Sequence, residues 1–255
     1  MLFDTHAHYN DAKFSGILDD LLSKMPENNV GYIVNVCCIT PEIPDMMKLC
    51  EKYPFMYAAI GVHPQDVGDM TEKDIEILRE YSKEKKVLAI GEIGLDYYYE
   101  NAPRDVQKYW FARQVELAKE LKLPVIIHDR DAHLDTMNIL KETKVSECGG
   151  VFHCYSGSVE MAKEILDMGM YIAFGGSVTF KNARRPVEAA QYVPLDRILI
   201  ETDCPYLAPD PFRGKLNSSL YIYRVVEKIA ELKGLTVKEV EDATTNNAKR
   251  LFKLD

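Results

Sequence analysis

Eight short apolar runs recur along the chain, each followed by a polar loop and then by a longer segment with helical spacing. They span Met1 to Asp4, Gly31 to Cys37, Met56 to Gly61, Val87 to Glu92, Pro124 to His128, Gly150 to His153, Met170 to Gly175 and Arg197 to Thr202. The runs are continuous and not alternating, as strands buried on both faces are when helices cover a parallel sheet. Between them, Trp110, Phe111, Gln114, Val115, Ala118 and Leu121 recur at three- and four-residue steps within Arg104 to Leu121. Thr71 to Ser82 and Glu160 to Met168 carry similar patterns. Eight such strands in 255 residues predict an α/β chain folded as one closed (β/α)8 TIM barrel, residues 1–255 forming a single domain. A doubly wound open sheet is the alternative. The tail from Ser219 to Leu254 reads as helical throughout and is expected to pack outside the barrel.

Charge and cysteine usage narrow the class. Forty Asp and Glu against thirty-one Lys and Arg give a net charge of −9, which disfavours nonspecific wrapping of nucleic acid. It does not count against an enzyme whose acids gather around cations. The best apolar run, Val30 to Cys38, is half the ~18 residues a membrane helix needs, so no membrane association is expected. The first residues show no basic segment followed by an apolar one. Six cysteines without a Cys-x-x-Cys spacing read as reduced thiols, and the expected location is the cytoplasm.

Metal-capable side chains fall at the ends of these runs. His6 and His8 close the first, Glu92 the fourth, His128 the fifth, His153 the sixth and Asp203 the eighth, while His63 follows the third. Barrel enzymes keep their active sites on that face. Residues i and i+2 of a strand point the same way, so His6 and His8 can chelate one ion together. Each residue alone is as readily structural; jointly, in this order, they are a ligand set. Four imidazoles and two carboxylates exceed what one ion with an open position takes. They suit two ions about 3.5–4 Å apart with one carboxylate bridging. Lys85 and Lys86 precede the fourth run, at the wrong end to serve as a bridge, so Glu92 takes that place.

The segments FDTHAH, GEIGLDYYY, PVIIHDRDA, FHCYSGS and ETDCPYLAP, with FRGKLN following, resemble the TatD family of metal-dependent deoxyribonucleases, within the amidohydrolase superfamily of barrels. The resemblance runs over essentially the whole chain. It implies a two-metal hydrolase that cuts phosphodiester bonds in DNA, often as a 3′→5′ exonuclease on single strands or 3′ ends. It also implies that His6 and His8 hold the first metal, His128 and His153 the second, that Glu92 bridges them, and that Asp203 completes the first site; in a two-metal phosphodiesterase Asp203 would also take the nucleophile's proton. Imidazole-rich ligation favours Zn, Mn or Fe, whereas nucleases commonly use Mg, so two divalent cations are expected with Zn, Mn and Mg all open. Hydrolysis of a small amide, ester or lactone is the alternative activity.

Other residues support the site. Asp4, Glu201 and Thr202 could orient ligands; Asp96 could orient substrate or a ligand, or form a turn. Tyr97, Tyr98 and Tyr99 could stack bases. Arg213 and Lys215 follow the eighth run, where barrels commonly hold phosphate, and Lys181, Arg184 and Arg185 form another basic cluster. Cys154 and Cys204 have opposite parity to their ligand neighbours and are expected to pack. Two departures from the family pattern alter the rim: Phe212 stands where His precedes Arg-Gly-Lys, and Val62-His63-Pro64 continues to Gln65, not His. His63, Asp96, Phe212, Arg213 and Lys215 are therefore the candidate substrate contacts, with Phe212 expected to stack on a base.

Overall fold

A computed structural model describes residues 1–99 and 101–255. Its elements follow in strict alternation: β1 (Leu2–Ala7), α1 (Leu18–Ser23), β2 (Val30–Val36), α2 (Ile43–Lys52), β3 (Met56–Ile60), α3 (Glu72–Tyr81), β4 (Val87–Asp96) and α4 (Arg104–Leu121). The second half continues with β5 (Val125–Arg130), α5 (His133–Glu142), β6 (Gly150–Phe152), α6 (Val159–Asp167), β7 (Tyr171–Phe174), α7 (Arg184–Tyr192), β8 (Ile198–Ile200), α8 (Tyr223–Lys233) and α9 (Val237–Phe252). The strands pair in parallel in chain order, β1 to β8. Beyond β8 the sheet returns to β1: Ala7 bridges Cys204, the Asp203 amide donates to His6 O (3.0 Å), and the His8 amide donates to Cys204 O (2.8 Å). This is the (β/α)8 barrel. Sequential order with closure excludes the doubly wound alternative, whose strand order reverses at a switch point.

Helix limits follow local chemistry. Thr71 caps α3 in a box with Asp74, and Thr236 caps α9 in a box with Glu239, each satisfying amides that the first turn leaves open. Two apolar clusters fill the space. One lies between strands and helices. The other takes alternate positions from every strand, including Phe3, Val34, Ala59, Ala89, Ile126, Val151, Ala173 and Leu199, and so fills the barrel itself.

Two expectations need correcting. The tail is two helices broken at Gly234, and its end does not merely lie outside. Ala248, Leu251 and Phe252 of α9 join the cluster inside the barrel, with the Phe252 ring 5.8 Å from Phe3. Asn247 Nδ2 donates to Leu195 O and Ile198 O, at the start of β8. Thus α9 plugs the N-terminal mouth, which eight strands alone leave open. Strand β4 also runs past the expected end at Glu92 as far as Asp96. Ile93, Gly94, Leu95 and Asp96 pair with Ile127, His128, Asp129 and Arg130. Polar residues end an apolar run on paper, but a strand that lines a polar site keeps its backbone pairing through them. A Cβ on Gly94 would meet His128 O at 1.9 Å, at φ +149°, so only glycine permits this approach beside His128. No helix among the described residues is long and apolar enough to cross a membrane, and all six cysteines are free.

Candidate metal centre

The C-terminal mouth of the barrel opens into a cleft of about 590 Å3 whose floor includes His8, His63, Glu92, His128, His153 and Asp203. His6 and His8 sit at the end of β1 and bring their Nε2 atoms to 3.0 Å of one another. The Glu92 carboxylate faces them with Oε2, at 3.3 Å from His6 Nε2 and 3.7 Å from His8 Nε2. Its other oxygen, Oε1, lies 2.6 Å from His128 Nδ1, 3.4 Å from His153 Nε2 and 3.8 Å from His63 Nε2. Asp203 Oδ1 approaches His8 Nε2 at 3.4 Å and His6 Nε2 at 4.0 Å. The ligand atoms of His6, His8 and Asp203 therefore form one tight group, and those of His63, Glu92 and His128 another.

The chemistry of this donor set fits divalent cations. Glu92 is buried, and its side-chain partners are imidazoles, with no lysine or arginine among them. Burial alone would push its carboxyl up, but His153, His6 and His63 and the hydrogen bond with His128 hold it well below the usual range. Asp203 behaves likewise: burial opposes its charge, and the His8 hydrogen bond with the neighbouring imidazoles keeps it ionised. Burial disfavours imidazolium at His128 and His153, yet carboxylates lift both to about 9. Without a cation, the cluster holds protons in its place. His6 Nδ1 is buried with no hydrogen-bond partner. His153 Nδ1, 3.1 Å from Glu201 Oε1 but not hydrogen-bonded to it, is the second such atom in the cluster. Burial lowers His63 to about 3, with His128 adding to the effect.

A second ring of contacts orients these side chains. Asp96 Oδ2 takes His128 Nε2 at 3.1 Å, which leaves Nδ1 as the nitrogen turned to Glu92. Asp96 Oδ1 accepts the Tyr98 and Tyr99 amides (2.9 and 3.1 Å), and Gln65 Nε2 donates to Oδ2 (2.9 Å). Its carboxylate is thus fully buried and spent on His128 and a turn, outside the lining of the cleft. Asp4 does not touch an imidazole. It accepts from the Thr202 amide, Thr202 Oγ1, Ser219 Oγ and the His6 amide, tying β1 to the segment after β8. Burial pushes it up to about 7 against those donors. Glu201 Oε1 accepts the Cys154 amide at 2.5 Å and faces His153.

The structure redistributes the rim. His63, expected at the substrate, lies within the ligand cluster, edge-on to His128 at 4.5 Å. Phe212 stacks on Tyr221 (4.2 Å, 14° between planes), and the Arg213 guanidinium covers Phe180 at 4.1 Å. Lys215 Nζ lies 5.7 Å over the Phe212 ring. None of Phe212, Arg213 and Lys215 lines the cleft. The loop folds back because the Phe212 ring stacks on Tyr221, a tertiary partner that spacing does not reveal. Cys154, expected only to pack, brings Sγ within 4.8 Å of the ligand atoms of His153 and Asp203. Parity fails there because Cys154 (φ 45°) is left-handed and leaves the strand alternation. Arg130 lines the cleft and was not singled out by sequence; its signal was the register with Asp96, invisible until β4 and β5 pair.

The TatD related DNase family matches residues 3–253. An uncharacterized metal-dependent hydrolase of Bacillus subtilis, YabD, is 49% identical over 255 residues, with all of both chains covered. Another from Escherichia coli, YcfH, is 42% identical over 257 residues, covering 100% of this chain and 96% of that one. Among solved structures, the TatD homolog YJJV from Escherichia coli superposes with a TM-score of 0.93 at 30% identity, covering 100% of this chain and 98% of the other. A sequence match extending from the first strand to the last helix, on a barrel whose mouth gathers imidazoles and carboxylates, makes this chain a metal-dependent hydrolase that belongs to the TatD related DNase family.

Proposed function

We propose that the chain hydrolyses phosphodiester bonds in DNA with two divalent cations, between which the Glu92 carboxylate would be shared. The division of that carboxylate carries the reading: Oε2 faces His6 and His8, and Oε1 faces His128 and His153. His6, His8 and Asp203 with Oε2 would hold one cation; His128 and His153 with Oε1 would hold the other, with His63 beside them. The imidazole-rich set favours Zn or Mn over Mg. Bound cations at such a pair lower the pKa of water and offset the charge that develops on a phosphoryl group.

The residues of the chain supply the rest. Asp203, ionised and partly open to the cleft, accepts the proton of the attacking water at its carboxylate. Asp96 fixes the His128 ring, and Glu201 stands behind His153. The cleft, about 590 Å3 and neither sealed nor flat, has room for the end of an extended strand. A screen of chelated protein reconstituted with Zn, Mn or Mg tests the reading, using 5′-labelled single-stranded DNA beside bis(p-nitrophenyl) phosphate and a panel of amides and lactones. Cleavage of DNA with a 3′-shortening ladder supports a 3′→5′ exonuclease. Turnover confined to amides or lactones would overturn the assignment.

A further inference from the structure

The cleft floor and walls are acidic. Asp11, Glu42, Asp66, Glu92 and Asp203 line them, and Arg130 is the one Lys or Arg among the described lining residues. A strand that carries phosphates on both sides of the scissile one meets cations at the metal centre and carboxylates elsewhere, with this single exception. Arg130 is the last residue of β5 and pairs with Asp96, the last of β4. Its side chain is exposed and lies across two rings, 4.0 Å from the centre of Tyr98 and 4.8 Å from that of Tyr99. Those tyrosines are edge-to-face at 4.8 Å, and both remain about half exposed. Tyr97 differs: its hydroxyl donates to Asp135 and its ring is partly buried.

The platform is anchored to the catalytic centre. Asp96 accepts the Tyr98 and Tyr99 amides through Oδ1 while its Oδ2 holds His128, so one carboxylate sets the ring positions and a metal-facing imidazole together. The guanidinium lies against π-faces and, among the described residues, makes no carboxylate ion pair, so its N–H fork can turn to an anion. A planar fork next to an exposed ring is the combination that takes a phosphate and the base attached to it.

We propose that Arg130, laid across Tyr98, forms with Tyr99 a nucleotide subsite beside the metal centre: the guanidinium binds the phosphate next to the scissile one, and Tyr99 stacks the adjoining base. This rests on the phosphodiesterase reading and deepens it, since it makes an oligonucleotide the preferred substrate over a diester with one phosphate. Arg130 is a positioning residue here, set apart from the bond-breaking groups.

The test separates the subsite from the chemistry. Binding of a fluorescent single-stranded phosphorothioate oligonucleotide, which resists cleavage, is followed by anisotropy over a salt series. Turnover of unmodified oligonucleotide and of bis(p-nitrophenyl) phosphate is measured in parallel. Arg130→Ala should weaken binding by about tenfold or more and flatten the slope of log K against log salt by about 0.7, the value for one contact to a single strand. Its kcat/KM on the aryl diester should stay within about threefold of the parent. Arg130→Lys should restore the slope but only part of the affinity, because an ammonium lacks the fork and the stack. Tyr99→Ala should lose about five- to a hundredfold in affinity at unchanged slope. An unchanged slope in Arg130→Ala, an equal loss on both substrates, or a parent protein that binds no oligonucleotide would each overturn the subsite. A parent that binds but does not cut, with Arg130→Ala still flattening the slope, would overturn the nuclease reading and leave the subsite standing.

Discussion

Replacing Glu92 by glutamine keeps the shape of the side chain and removes what a bridge needs. One oxygen becomes an amide nitrogen with no lone pair to offer, and one formal charge is lost. Glu92 is 3% exposed and reaches His6, His8, His128, His153 and His63 within 2.6–3.8 Å, so its two oxygens face all five imidazoles at once. Two unit charges about 4 Å apart at an effective dielectric of 20 interact by ~4 kcal/mol. Half a carboxylate charge acting on a dication is the same product. Competing water and relaxation reduce that figure, yet losing even an outer partner of a ligand costs ~10–100-fold in affinity. We therefore expect Glu92→Gln to weaken both sites together, each by on the order of 10²-fold or more. The assay is elemental analysis after dialysis against a weak chelator, with titrations of each ion by calorimetry. A variant that keeps one ion at full occupancy with the parent's affinity would refute the bridge, because Glu92 would then serve one site only.

Metal loading should expel protons, since burial opposes protonation at His8, His128 and His153 but Asp203 and Cys38 at the first, and carboxylates at the other two, more than restore it. Calorimetry at pH 7 in buffers of different ionisation enthalpy should report release of about three protons per chain, and release of none would count against these imidazoles as ligands. His128 and His153 set a pH dependence for chelated protein. Their stabilisation is fully present below the unfolded value of 6.5 and is lost as pH rises through about 9, so its Tm should fall across that window while that of loaded protein should not. Asp203→Asn should leave the fold intact and lower turnover by ~10²–10⁴-fold; activity within a few-fold of the parent would remove it from proton transfer. Phe252→Ala, at the plug of the barrel, should cost ~3–5 kcal/mol in denaturant unfolding, and a loss below ~1 kcal/mol would mean that α9 is dispensable. Phe212→Ala should cost ~0.5–1.5 kcal/mol of stability through its stack on Tyr221 and change oligonucleotide and aryl-diester turnover equally. A loss confined to oligonucleotide would restore the ring to the substrate rim.

Sequence alone determined the barrel and the residue types at its mouth, because both depend on short-range rules. A strand buried on both faces is an uninterrupted apolar run, and a pair such as His6 and His8 shares a side by the two-residue period. Those rules act within one element and need no knowledge of its neighbours. They stop where the chain leaves the strand. Left-handed Cys154 and Asp203, at φ 45° and 55°, redirect side chains that parity would send elsewhere. The continuation of β4 to Asp96 depends on hydrogen bonds to β5, and only that pairing sets Arg130 beside the tyrosines. Tertiary packing likewise turned Phe212 onto Tyr221 and drew Phe252 into the barrel, since an apolar side chain settles on whichever dry surface lies within reach, and that surface comes from residues distant in sequence.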